Sequence, residues 1–358
     1  MITRFRNFDW ALIGALVILA SASLLTLASS GGIFFGRQIV WYIFSFSAIF
    51  IGSQIDWRLL VSRHWFRSGL YFFSIALLVI AYLQPHQIRG TKSWIVIGSF
   101  QFEPEELVKI ALLFVLAYFF SKRHVAAWQA RNLFLSLGYT LLPTFLIVIQ
   151  PNFGSAILVA SIWVGFVLLS GIHTKRFLAG LLILCVIGIL LWTLVFQEYQ
   201  KDRIMTFLIP ERDPLGASYN VIQSKIAIGS AGFWGKGFGR GTQARFGFLP
   251  ASQNDFLFAA FVEEWGMVGA AVLIGAVLFL IYRLVRIGRR ARDNFARLMA
   301  LGGGVFFFVH FLINVGSNVG LLPVTGITLP FFSYGGSNLL TTGILLGIME
   351  HIKLESSA

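Results

Sequence analysis

Apolar runs of about twenty residues follow one another through nearly the whole chain, and no other feature narrows the fold so far. In hydrocarbon every backbone N–H and C=O needs an internal partner, so runs of this length cross as helices, about 20 residues spanning roughly 30 Å. They fall at roughly 10–29, 38–55, 68–84, 105–121, 133–150, 153–171, 177–197, 255–282, 298–316 and 336–352. Barrel strands would instead alternate over about ten residues. With 57% hydrophobic residues, the chain is too apolar to close as a soluble domain of 358 residues. The expectation is an all-α polytopic membrane protein, one integral membrane domain over 1–358 with about ten transmembrane helices.

Charge sets the orientation. A net charge of +13 invites a nucleic-acid reading, but the basic residues sort by membrane side. With the N-terminus inside, the cytoplasmic segments collect seventeen, among them Arg4, Arg6, Arg58, Arg63, Arg67, Arg283, Arg289 and Arg290, whereas the short outer loops hold Arg37, Arg89 and Lys92. Both termini are then cytoplasmic and 198–254 is a large extracytoplasmic loop. Its seven basic residues do not count against this, because long loops translocate largely regardless of charge. The run from Trp10 lacks a small-residue cleavage site and reads as a retained first helix. Cys185, the single cysteine, permits no disulfide framework.

Several places break the apolar pattern. Pro104 in "GSFQFEPEELVK" starts a helix without losing a bond, and Glu106 and Lys109 then share a face three residues apart. They form either a tolerated buried ion pair or a charged ammonium kept ready for an anionic ligand. "QPNFG" makes a tight turn around Pro151 and Gly154. "NVGSNVGLLPVTGITLPFFSYGGSN" cannot be a clean helix and predicts a re-entrant or irregular segment beside a polar cavity, before the last helix.

The polar stretch from Glu198 ends at Asp255, where a long apolar run begins. A carboxylate there is either a helix cap or a general base or cation ligand facing an outer cavity. The glycines of "GKGFGRGTQ", with Lys236 and Arg240, could cradle phosphate or be merely flexible, and they lack the spacing of a nucleotide-binding loop. His310, Asn314 and Asn318, four apart, read as an interhelical hydrogen-bond strip ahead of a metal site.

Three segments together resemble the SEDS family, the shape, elongation, division and sporulation proteins, on its RodA-like side: "YNVIQSKIAIGSAGFWGKGFGRGTQ", "LPASQNDFLFAAFVEEWG" and "NVGLLPVTGITLPFFSYGGSN". The resemblance implies a ten-helix peptidoglycan glycosyltransferase of the bacterial plasma membrane. It would polymerise lipid II at the outer face beside a class B penicillin-binding protein and other elongation-complex membrane proteins, within membrane lipid. By the same resemblance the essential aspartate falls on Asp255, and the Glu and Lys opening the fourth helix on Glu106 and Lys109. Substrate-binding positions fall on Arg37, Arg203, Gln223, Ser224, Lys225 and Lys236. The chain departs from the family pattern where "QPSE" reads Glu103, Pro104, Glu105 and Glu106, and where "QPD" ends in Asn152; the added acids could attract a divalent cation.

The expected chemistry is inverting displacement at the anomeric carbon of the lipid-linked sugar, with Asp255 taking the proton of the incoming hydroxyl. Cations steady the departing pyrophosphate, with Mg2+ or Mn2+ as an added candidate and no protein metal site assigned. The rival is a carrier, a lipid II flippase or proton-coupled transporter, with Asp255, Glu263 and Glu264 as relay acids.

Overall fold

The computed structural model describes residues 8–32, 34–85, 88, 90–98, 100–123, 129–171, 180, 193, 205 and 218–357. Nearly all of the expected span 177–197 and of the loop 198–217, Arg203 included, lies outside the described residues.

The chain is mostly helical. α1 (Trp10–Ser29), α2 (Phe35–Gln54), the short α3 (Trp57–Ser62), α4 (His64–Leu83), α5 (Pro104–Lys122), α6 (Ala130–Ile149) and α7 (Phe153–Leu169) come first. α8 (Tyr219–Gly229), the single turn α9 (Thr242–Arg245), α10 (Leu257–Arg290), α11 (Asn294–Asn318) and α12 (Gly336–Ser357) follow. By length and composition α1, α2, α4, α6, α10 and α11 can cross a membrane, and α7 is a shorter apolar helix. Two helices exceed their apolar runs. α10 continues to Arg290 because "RLVRIGRR" prolongs the helix with long basic side chains beyond its apolar part. α11 starts at Asn294 because the Asp293 carboxylate accepts from Ala296 N.

The all-α expectation misses one small element. β1 (Ile95–Ile97) and β2 (Phe100–Phe102) pair antiparallel, Ile95 opposite Phe102, and lead the chain into α5. The short β-branched run "IVI" and the alternating "FQF" on either side of Gly98 are strand signals that a twenty-residue window averages away.

α5 is the buried axis, packed against α4, α6, α7, α11 and α12. α1 lies along α10, α10 along α11, and α2 along α12. The α2–α12 crossing is close because α12 presents Gly343 and Gly347. A Cβ on Gly347 would meet Ile49 O at 2.9 Å, and one on Gly343 would meet Ser45 O at 2.7 Å. Without a hydrophobic drive between helices in lipid, such backbone approach supplies the dispersion contact that joins them.

Between α11 and α12 the backbone is irregular, as expected, and side chains from neighbouring elements take up several of its carbonyls. Asn314 Nδ2 donates to Ile327 O at 2.8 Å, Tyr42 Oη to Phe331 O at 2.9 Å, and Gln38 Nε2 to Ser333 O at 3.3 Å. Asn254 Nδ2 donates to Tyr334 O at 3.0 Å, while Tyr334 N donates to Gln253 O at 3.0 Å. That network lets a non-helical stretch persist within the bundle.

Candidate functional site

A cavity of about 820 Å³ opens where the irregular segment meets the N-terminal ends of α5 and α12. It collects Arg37 and Trp41 from α2, Glu103, Glu105, Glu106 and Lys109 from the start of α5, Lys225 from α8, Asp255 from just ahead of α10, His310 from α11 and Asn338 from α12. Five positions from distant parts of the sequence, Arg37, Glu106, Lys109, Lys225 and Asp255, are thus brought together.

Asp255 is half-buried and precedes Phe256, the residue that occupies the N-cap position of α10. Its backbone carbonyl is held twice from α11, by Asn318 Nδ2 at 2.9 Å and Asn314 Nδ2 at 3.1 Å. Asn318 Oδ1 in turn accepts from Ala259 N at 3.2 Å in the first turn of α10. The strip of amides is therefore the hydrogen-bonding device expected of it, and what it positions is the aspartate. A Cβ built on Gly326 lies 3.8 Å from Asp255 Oδ2, so the carboxylate abuts the irregular segment.

Lys109 Nζ donates to Glu106 Oε1 at 2.9 Å, and Asn338 Nδ2 donates to the same oxygen at 3.2 Å, tying α5 to α12. Both members of the pair are buried. Glu105, also buried, accepts from Asn152 Nδ2 at 2.7 Å and from Ser155 Oγ, tying α5 to α7. Two of the departures from the family pattern, Glu105 and Asn152, are therefore partners: a carboxylate on α5 faces an amide at the α6–α7 turn. Glu103, at the N-cap position of α5, has its carboxyl held well above the usual carboxylate range by burial, and then by the neighbouring charges of Glu105 and Glu106. Carboxylate oxygens of Glu103, Glu105 and Glu106 lie within 4.8 Å of one another.

Other expected residues are used elsewhere. Ser224 is buried, its hydroxyl donating to Asn318 O at 2.7 Å, so it fastens α8 to α11 instead of facing the cavity. Gln223 does not line the cavity, whereas Lys225 on the same helix does, its side chain passing over Gly320. Lys236 lies outside the cavity as well. Its Nζ pairs with Glu263 Oε1 at 2.6 Å and donates to Thr242 Oγ1 at 3.1 Å.

The reason lies in α10. Gly266 adopts φ 67, ψ −165, a conformation essentially restricted to glycine, and breaks the helical ladder. Met267 N and Val268 N would have donated to Glu263 O and Glu264 O. They donate instead to Gly232 O at 3.1 Å and Phe233 O at 3.2 Å, while Lys236 N and Gly237 N donate to Glu263 O at 3.0 Å and Glu264 O at 2.9 Å. The glycine-rich loop is inserted into the break, and its N–H groups serve a helix, not a phosphate. The Glu263 carboxylate completes the join, accepting from Thr242 N and Thr242 Oγ1 at 2.9 Å and from Gln243 N at 3.1 Å. An acid engaged in this way is a clamp, which removes a link from the proton-relay alternative. Reading along the chain missed Asn338 and this pairing; the polar start of α12, "GGSN", was the available signal for the first.

The family model described as "Cell cycle protein", covering FtsW, RodA and SpoVE, matches residues 4–358. Over 293 residues, 81% of this chain and 79% of the relative, the sequence is 38% identical to the peptidoglycan glycosyltransferase MrdB of Escherichia coli strain K12. Over 354 residues, 95% of this chain and 90% of the relative, it is 33% identical to the probable peptidoglycan glycosyltransferase FtsW of Trichlorobacter lovleyi. Among solved structures, a chain from work on coordination of polymerization and crosslinking by a peptidoglycan synthase complex aligns with a TM-score of 0.84 at 30% identity, covering 98% of both chains. The rod shape determining protein RodA of Thermus thermophilus aligns at 0.73 and 25% identity, again over 98% of both. Matched along almost its whole length by model, sequence and fold, this chain belongs to the FtsW, RodA and SpoVE family of cell cycle proteins.

Proposed function

We propose that this chain is a peptidoglycan glycosyltransferase that polymerises lipid II at the outer face of the bacterial plasma membrane, in wall elongation and cell shape. One observation carries the reading: a single cavity gathers an aspartate with three basic side chains, Lys109, Lys225 and Arg37. The relatives named above bear the same activity in their names. Ten spans with both termini cytoplasmic suit this orientation, since the cavity then faces outward and Arg283, Arg289 and Arg290 at the end of α10 face inward.

The 4-hydroxyl of the acceptor sugar is a poor nucleophile, and Asp255 acts as the base that takes its proton, worth about 100- to 10,000-fold. The C–O bond to pyrophosphate breaks as the new glycosidic bond forms, and the leaving group gathers negative charge. Lys109 and Lys225 stabilise that charge more in the transition state than in the bound substrate. A single base without a carboxylate nucleophile inverts the anomeric centre, giving a β-linked product from an α-linked donor. Arg37 binds at the cavity margin. Arg203, outside the described residues, is proposed as a further pyrophosphate contact. Glu103, Glu105 and Glu106 fit Mg2+ or Mn2+, because their oxygens converge and Glu106 Oε2 is buried with no hydrogen-bond partner among the described residues. Bound there, the ion supplies further positive charge toward the pyrophosphate.

A class B penicillin-binding protein fits as the crosslinking partner, one solved relative being a chain of a synthase complex that couples the two activities. The test is gel analysis of glycan chains made from labelled lipid II by detergent-solubilised wild type and Asp255→Ala, with and without such a partner. An enzyme elongates glycan without sealed vesicles, whereas a carrier does nothing measurable there. Full activity in Asp255→Ala rejects the assignment of the base.

A further inference from the structure

Far from the cavity, roughly 20 Å along α12 from Ser337 at its 1.5 Å rise per residue, three titratable side chains converge. His351 is buried, and its Nδ1 lies 3.1 Å from Ser53 O. A carbonyl can only accept, so Nδ1 carries a proton, and Nε2 is the nitrogen that can offer a lone pair to a ligand. Among the described residues that nitrogen has no hydrogen-bond partner. It faces Glu355 Oε1 at 3.7 Å and Asp56 Oδ1 at 3.9 Å, and the three atoms lie within 4.8 Å of one another. A buried ring nitrogen beside two carboxylates is an arrangement that a shared cation would hold together.

We propose that His351, Glu355 and Asp56 bind a divalent transition-metal ion, Zn2+ by preference, fastening the α2–α3 turn to the end of α12. His351 and Glu355 are four apart on one helix face, a spacing that lets both reach one ion. Bonds of 2.0–2.2 Å in a tetrahedron place ligand atoms about 3.4 Å apart, so the 3.7 and 3.9 Å separations from Nε2 close by about half an ångström or less. The supporting contacts are those of a metal site. The ring is oriented by Nδ1–H on a backbone carbonyl, Arg58 holds the other oxygen of Glu355 at 2.8 Å, and Asp56 Oδ1 is steadied by Arg58 N and Leu59 N at 3.1 and 3.2 Å. Imidazole with two carboxylates suits Zn2+ better than Mg2+ or Ca2+, which prefer oxygen alone. The Asp56 side chain is 46% exposed, so an ion can enter from solvent and keep water as its fourth ligand. A proton on Nε2 is the competing occupant, and the experiment below separates the two.

The test uses the full-length, tag-free protein in detergent, stripped with chelator and titrated with Zn2+ against a chromophoric competitor, and separately with Co2+. Wild type takes up one equivalent, Co2+ gives the visible absorption of a low-symmetry site, and Zn2+ raises the Tm. Glu355→Gln and Asp56→Asn, which keep shape and, at Asp56, helix capping, weaken binding at least about tenfold. His351→Gln abolishes it, and its fold is checked by lipid II polymerisation at the distant cavity. Wild type that binds no stoichiometric metal, or binding unaltered in both conservative variants, overturns the proposal. So does a Tm that rises on acidification in wild type but not in His351→Gln and is indifferent to Zn2+, since the proton is then the occupant.

Discussion

The side-chain amide of Asn318 donates to the backbone carbonyl of Asp255 at 2.9 Å, and Asn314, one turn earlier on α11, donates to the same oxygen at 3.1 Å. Two amides on one carbonyl fix where the aspartate leaves the irregular chain and enters α10. Replacing Asn318 with Ala removes one of the two bonds on that carbonyl and leaves Ala259 N without its acceptor. Polymerisation should fall about 10- to 100-fold through misplacement of the base, with substrate affinity little altered. The kcat and KM of Asn318→Ala, compared with those of Asp255→Asn, check this: both lower kcat, and only Asn318→Ala also loses about 1–3 kcal/mol of stability.

Glu106 and Lys109 separate structure from chemistry. Lys109→Met alone leaves a buried carboxylate without its cation and should cost about 3–5 kcal/mol. The double variant Glu106→Gln with Lys109→Met should regain most of that stability. It should not regain polymerisation, because the ammonium in the cavity is gone. Thermal unfolding and lipid II gels on the same three preparations decide whether the pair is more than a packing device; recovery of both properties together would reduce it to one.

Gly266→Ala is expected to detach the glycine-rich loop. The backbone conformation there costs a side chain about 1–3 kcal/mol, and a Cβ would also collide with backbone atoms of Phe233, Trp234 and Gly235. Limited proteolysis should then cut within 232–248 well before the rest of the bundle. Lys236→Met, which removes only the outer half of the clamp, should leave that segment largely protected.

At the α6–α7 turn, Asn152→Asp sets a second carboxylate against Glu105 at the position of a 2.7 Å hydrogen bond. It should lower stability by about 1–3 kcal/mol, and Glu105→Ser in the same chain should restore it. A double-mutant cycle of unfolding free energies measures the coupling, and additivity would show that the two positions are independent.

Glu103 sets a pH dependence. Its carboxyl is raised in the folded protein, so between the ordinary carboxylate range and its raised value the folded state binds more protons than the unfolded one. Stability should therefore be greatest below that window and fall as pH rises through it. Glu103→Gln should flatten the fall, measured as Tm against pH.

Twenty-residue hydrophobicity located α1, α2 and α4 to within a few residues, because in lipid the helix is the local answer to backbone hydrogen bonding and needs no distant partner. Asp255, Glu106 and Lys109 were legible for a similar reason: charge beside hydrocarbon is costly wherever it is read. The β1–β2 hairpin was lost to averaging over a window longer than its strands. What each polar group does was not legible, because hydrogen bonds join positions far apart in the chain. Lys236 and the glycines around it resemble an anion cradle until Gly266, some thirty residues on, opens a gap that their N–H groups fill. Glu105 and Asn152 are two separate oddities in the sequence and one hydrogen bond in the fold. Local composition decides where a helix crosses; which lone pair meets which proton is decided only when helices distant in sequence pack together.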